Sequence, residues 1–89
     1  MAETISLSGG FTFESIQRIE REVAARIAQP EVVVDLSAVT DVDSCAVSQL
    51  LHWQRDAQAA GRKLSFAAPP AGLVSLAHLY DVEEFLAFD

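Results

Sequence analysis

VVVDLSAVTDVDSCAVSQLL, running from Val32 to Leu51, is the stretch whose reading decides the fold. Its β-branched run ends in Asp35-Leu36-Ser37, and Asp43-Ser44 then open a helical pattern. Val32-Val33-Val34 is apolar on both faces, which predicts a central strand covered on both sides. A strand over Glu31 to Leu36 followed by a helix brings a carboxylate and a hydroxyl together at a strand-to-helix junction. A helix N-terminus exposes N–H groups that lack intrahelical partners. Ser44 is therefore the first candidate for a functional residue.

Outward from this junction, helices and strands alternate. The helix capped by Asp43 or Ser44 is expected to run to about Ala60, with Ala46, Leu50, Trp53, Ala57 and Ala60 as its stripe. Val47 and Leu51 lie beside that stripe, and Gly61 is placed as the C-cap. Lys63 to Ala67 is the next strand, with Leu64 and Phe66 sharing a face. Pro69-Pro70 breaks the chain. A third helix from about Ala71 then uses Leu73, Leu76, Ala77 and Tyr80. Val82 to Phe88 reads as a final helical turn, an edge strand or both.

Toward the N-terminus, Thr4 to Ser8 alternates polar and apolar and predicts a strand with one buried face. Gly9-Gly10 is a turn signal. Phe11 is read as the start of a second short strand, and Thr12 as a helix cap. That helix carries Ile16, Ile19, Val23 and Ile27, and it closes at Gln29-Pro30 because proline disfavours helical geometry in the residue before it. Glu14 with Arg18 and Glu22 with Arg26 have the spacing of i,i+4 ion pairs. The order β-(β)-α-β-α-β-α implies one α/β domain over residues 1–89, with a largely parallel sheet and right-handed crossovers.

A chain of 89 residues holds one small domain. Its 13 acidic and 6 basic residues leave a net charge of −7. The basic residues Arg18, Arg21, Arg26 and Arg55 fall on predicted helices among acids. This balance disfavours nucleic acid and anionic lipid headgroups, and favours a protein or a basic ligand as partner. Cys45 is the only cysteine, so no intrachain disulfide forms. MAETISLSGG lacks the basic and apolar regions of a signal peptide. No run approaches the ~18 apolar residues of a membrane span. The expectation is a cytoplasmic, soluble chain that does not insert into a membrane.

Catalytic signatures are missing. Neither GxxxxGK[ST] nor GxGxxG occurs, and no cofactor is expected. His52 and His78 fall on different helices, outside any metal-binding pattern, so no metal is expected. Ser44, His52 and Asp43 can be written as a triad. However, His52 lies two turns into the helix that Ser44 opens, ~12 Å along its axis, beyond hydrogen-bond reach. The chain is expected not to be an enzyme.

Two readings of Ser44 stand at this point. It is a helix N-cap, or it is a hydroxyl that is phosphorylated or touches a partner. A phosphate there is favoured by the helix N-terminus and opposed by Asp43 and Asp41. Asp35 is read as closing its strand by a hydrogen bond to the following loop or as an acid-base group, Cys45 as a packed small residue or a reactive thiol, and Trp53 as core or interface. His78 and Tyr80, near the end of the third helix, are surface residues or part of a docking face.

DLSAVTDVDSCAVSQLLH, followed by an Ala-rich helix, a Gly, a strand and LVSLAHLYDV, resembles a STAS domain, the fold of anti-sigma factor antagonists and sulfate-transporter tails. Leu76 to Val82 and the Leu50-Leu51-His52 run resemble the branch that serves as the small cytoplasmic subunit of the Mla-type ABC phospholipid transporter. The resemblance implies a small mixed, largely parallel sheet of about four or five strands packed with about three helices. It also implies a non-catalytic module, peripheral to the inner membrane through its partner. In the transporter branch the residue matching Ser44 contacts the ABC ATPase, with Asp43 flanking it. In the antagonist branch it is phosphorylated by an anti-sigma factor serine kinase. The docking surface implied by the resemblance draws on Cys45, Val47, Ser48, Leu51 and His52 of the second helix, and on His78 and Tyr80 of the third. Ala46 stands where the family usually has Gly, and Ser48-Gln49 replace residues that are often aliphatic.

Overall fold

The structure, a computed structural model, describes residues 3–88. Its elements are β1 (Glu3–Phe11), α1 (Ile16–Val23), β2 (Glu31–Val42), α2 (Ser44–Ala59), β3 (Lys63–Ala67) and α3 (Ala71–Leu79), followed by a 3₁₀ turn at Glu83–Phe85. The strands lie in the order β1-β2-β3, and both pairings are parallel. The strand that starts at Glu31 is thus the central one, as its apolar run predicts.

Both crossovers step across the sheet in the same direction. Right-handed connections then place α1 and α2 over the same face. Burial agrees. Ile5, Leu7 and Phe11 of β1, Val32, Val34 and Leu36 of β2, and Leu64 and Phe66 of β3 are all buried in one core. The helices close it with Ile19, Val23, Leu50, Trp53 and Leu73. The Phe11 and Trp53 rings pack at 6.0 Å. The other face carries Thr4, Ser6, Val33, Asp35, Ser65 and Ala67, all exposed or half-buried. The expectation of a central strand covered on both sides is therefore corrected, because Val33 faces out from a sheet with helices on one side.

Three strands form among the described residues, where about four or five were expected, and they are parallel throughout. Beyond them the C-terminal segment adds a single parallel bridge from Phe88 to Phe66. Gly9-Gly10 is not a turn between two strands. Gly9 sits inside β1 with φ +74°, a conformation open to glycine, next to a break in register. The central strand also continues past Ser37 to Val42. Ser6 pairs with Asp35 and Ser8 with Ala38, then Gly9 with Val39 and Gly10 with Asp41, so β2 carries an extra residue at each shift. Leu36 and Val39 are both buried although they are three apart, which hides the strand from a period-2 reading.

The first helix ends at Val23 rather than near Gln29, and turns carry the chain to β2. Ser15, not Thr12, is its N-cap residue. Arg18 pairs with Glu22 at 2.9 Å. Arg26 lies beyond the helix and pairs with Glu3 at 2.8 Å, while its Nη2 donates to the Thr4 carbonyl at 2.7 Å. The expected Glu14–Arg18 and Glu22–Arg26 pairs are replaced because Glu14 and Arg26 fall outside the helix.

Both later helices end alike. The Gly61 N–H donates to the Gln58 carbonyl (3.2 Å) and the Arg62 N–H to that of Ala57 (2.8 Å), with Gly61 at φ +68°. This is a Schellman ending, as the position of Gly61 predicts. At α3 the Asp81 N–H donates to His78 and the Val82 N–H to Ala77, both at 3.0 Å, with Asp81 itself left-handed at φ 59°. An aspartate in the glycine position is tolerated through its short polar side chain.

Candidate functional site

The bulged end of β2 delivers Asp43 in extended geometry, with φ −139° and ψ −172°, at the head of α2. Its carboxylate does two things. Oδ1 accepts the Cys45 N–H at 2.9 Å, which caps the helix. Oδ2 accepts the Phe13 N–H at 3.0 Å, which ties the β1–α1 turn to the same point. That turn is also held internally. The Thr12 N–H donates to Ser15 Oγ at 2.9 Å, and the Ser15 hydroxyl donates to the Gly10 carbonyl at 2.8 Å. Of the two candidates for the cap, Asp43 fills the role. Ser44 is the first helical residue, exposed, and its hydroxyl takes no part in the cap.

Ser44, Val47, Ser48 and Leu51 form one wall of an open groove of about 360 Å³, and Tyr80 and Val82 form the other. Five residues singled out from the sequence therefore come together across α2 and the end of α3. A second hollow of about 240 Å³ shares Leu51 and Val82 and is completed by Gln54, Arg55, Gln58 and Phe85, so the groove continues along α2. Ser44, Ser48 and His52 are all exposed and lie one helical turn apart.

The other expected residues lie off this groove. His52 Nε2 faces Asp56 Oδ2 at 3.3 Å, an exposed pair one turn further along. His78 Nδ1 lies 2.8 Å from Glu83 Oε1, so it points to the 3₁₀ turn rather than to Ser44. The Glu83 carboxylate, by hydrogen bond and charge, raises the His78 pKa, and Asp81 adds to this. Cys45 is half-buried. Ala46 is fully buried. Trp53 is core. Asp35 bonds locally within β2, since the Ser37 N–H donates to its Oδ1 at 2.9 Å. That bond, with one from the Ser37 hydroxyl, holds the Asp35 carboxyl below its ordinary value.

Phe13 and Val82 were not anticipated. Phe13 is 73% exposed on the turn that Asp43 holds. A large apolar residue directly after Gly9-Gly10-Phe11-Thr12 was its only signal. Val82 became visible only once α3 ended in a left-handed Asp81 and turned the chain back toward α2. Among the described residues no group of His, Cys, Asp and Glu gathers as a metal site, and no helix is long and apolar enough to cross a membrane.

The sequence profile of the family described as "Mlab, STAS domain" matches residues 1–87. No curated protein sequence matches the chain. Among solved structures, the anti-sigma factor antagonist SpoIIAA in its unphosphorylated form gives a TM-score of 0.74 at 16% identity, over 100% of this chain and 82% of that one. A sulfate transporter family protein from Wolinella succinogenes gives 0.77 at 16% identity, over 98% and 75% respectively. At that identity the likeness is one of fold.

Proposed function

The chain belongs to the STAS domain family, and from that premise we propose that it is the non-catalytic subunit that docks on and regulates the ATPase of an ABC-type phospholipid transporter serving outer-membrane lipid asymmetry. In this role it is cytoplasmic and reaches the inner membrane only through its partner. The carrying observation is that Asp43 does the capping, which leaves the Ser44 hydroxyl exposed at the head of the α2 groove. A helix N-terminus with an uncommitted hydroxyl and a neighbouring groove is a contact surface that needs no cofactor. Asp43 positions the surface, Ser44 touches the ATPase, and Val47, Ser48, Leu51 and Tyr80 supply the adjoining contact. The ATPase hydrolyses the nucleotide.

Ser44→Arg places a bulky cation where the partner must approach. We expect it to abolish co-purification with the cognate ATPase and to return that ATPase to its unregulated rate, while the melting temperature of the chain is unchanged. Intact co-purification and regulation would remove Ser44 from the interface.

A second reading, an anti-sigma factor antagonist, is favoured by the same exposed hydroxyl at the head of a 16-residue helix. On this reading an anti-sigma factor serine kinase with ATP adds one phosphate, and Ser44→Ala prevents the addition. Intact mass spectrometry that finds no added phosphate excludes it.

A further inference from the structure

Phe13 lies on the turn that the Asp43 carboxylate ties to the head of α2, and Asp43 directly precedes Ser44. Its ring is 73% exposed, yet its backbone is held by the Asp43 carboxylate and by the Ser15 hydroxyl network. Ordering a side chain on binding costs free energy, and a fixed backbone with few side-chain torsions keeps that cost low. Aromatic residues, phenylalanine among them, are also enriched in protein–protein interfaces relative to the rest of the surface. Across the groove, Tyr80 is 49% exposed and completes the opposite flank. The Asp43 carboxylate bonds both halves, so the Phe13 turn and α2 keep their relative placement without a partner.

Charge indicates what covers this surface. The hollow walled by Phe13 is bordered by Glu14, Asp41 and Asp43. Arg18 is the cation that lines it, and its guanidinium is engaged by Glu22 at 2.9 Å. Asp81 follows Tyr80 on the far flank. A second copy of this chain would set acid against acid on a protein of net charge −7, which opposes self-association through this face.

We propose that Phe13, Ser44 and Tyr80 form one continuous docking surface, with Phe13 as an aromatic anchor, for a protein whose contact face is an apolar pocket bordered by Lys and Arg. This rests on the docking function proposed for Ser44 and names the chemistry of the partner's face.

The test measures binding of the full chain to the purified cognate ABC ATPase and, separately, to the purified anti-sigma factor serine kinase. Phe13→Ala should weaken Kd by about tenfold or more, with no change in melting temperature because the ring is exposed. Phe13→Trp should keep wild-type affinity. Glu14→Lys with Asp41→Lys should slow association and flatten its dependence on salt. If Phe13→Ala binds as wild type while Ser44→Arg does not bind, the anchor is refuted and the docking function stands. If the wild-type chain binds neither protein, both are refuted. If binding is independent of salt, the basic character of the partner's face is refuted. If Phe13→Ala instead converts a sedimenting dimer to a monomer, the occupant is a second copy and the proposal fails.

Discussion

Asp43 is a small residue with a large structural share, because one carboxylate joins two elements that are 30 positions apart in sequence. Asp43→Ala removes the α2 cap and the tether to Phe13 together. The expected loss is about 1–2 kcal/mol of stability in urea titration, the usual size for an N-cap with a further hydrogen bond. Asp43→Asn keeps an amide oxygen for one of the two N–H groups and should recover part of that loss. A change within experimental error for Asp43→Ala would mean that water replaces both bonds at no cost. The identity of the cap could not be read from spacing, because Asp43 and Ser44 are adjacent and both residue types cap helices. Backbone geometry decided it, since Asp43 is extended while Ser44 is already helical.

At the scale of the element, the end of α3 and the segment after it behave as one unit. Asp81 turns the chain, Glu83 reaches back to His78, and Gln54 of α2 accepts the Ala87 N–H at 3.1 Å while donating to the Leu64 carbonyl at 3.2 Å. The His78–Glu83 contact raises the His78 pKa above its ordinary 6.5. The folded chain therefore holds that proton more tightly than the unfolded chain. The contact's contribution is complete below pH 6.5 and fades as pH rises through the raised value. Proton NMR of the ring should show a His78 midpoint above 6.5 that falls on Glu83→Gln. An unmoved midpoint would place the cause elsewhere. Hydrogen-exchange protection factors at Phe85 and Leu86, which remove the intrinsic pH dependence of exchange, should fall above that midpoint. His78 was singled out from the sequence as a possible docking residue. In the structure its Nδ1 meets Glu83 on the segment that carries Val82 and Phe85.

For the whole molecule, the governing fact is a parallel sheet with helices on one side. Val33 and Val34 are neighbours in the same run, yet one is half-buried on the open face and the other fully buried in the core. Val33→Thr should change stability by no more than about 0.5 kcal/mol. Val34→Thr buries a hydroxyl among apolar side chains and should cost about 1–3 kcal/mol. Equal losses in thermal melts would show that both faces are covered. The α/β alternation, the parallel sheet, the central strand, the Gly61 helix end and the Asp43–Ser44 junction follow from local chemistry: hydrophobic period, capping residues and backbone-permissive glycine act within a few positions of themselves. The length of β2, the single β1 strand, the open sheet face and the groove that unites Ser44 with Tyr80 were decided only in three dimensions. Bulges shift the period that a linear reading relies on, and a crossover direction or a groove exists only between segments that the chain brings together from far apart.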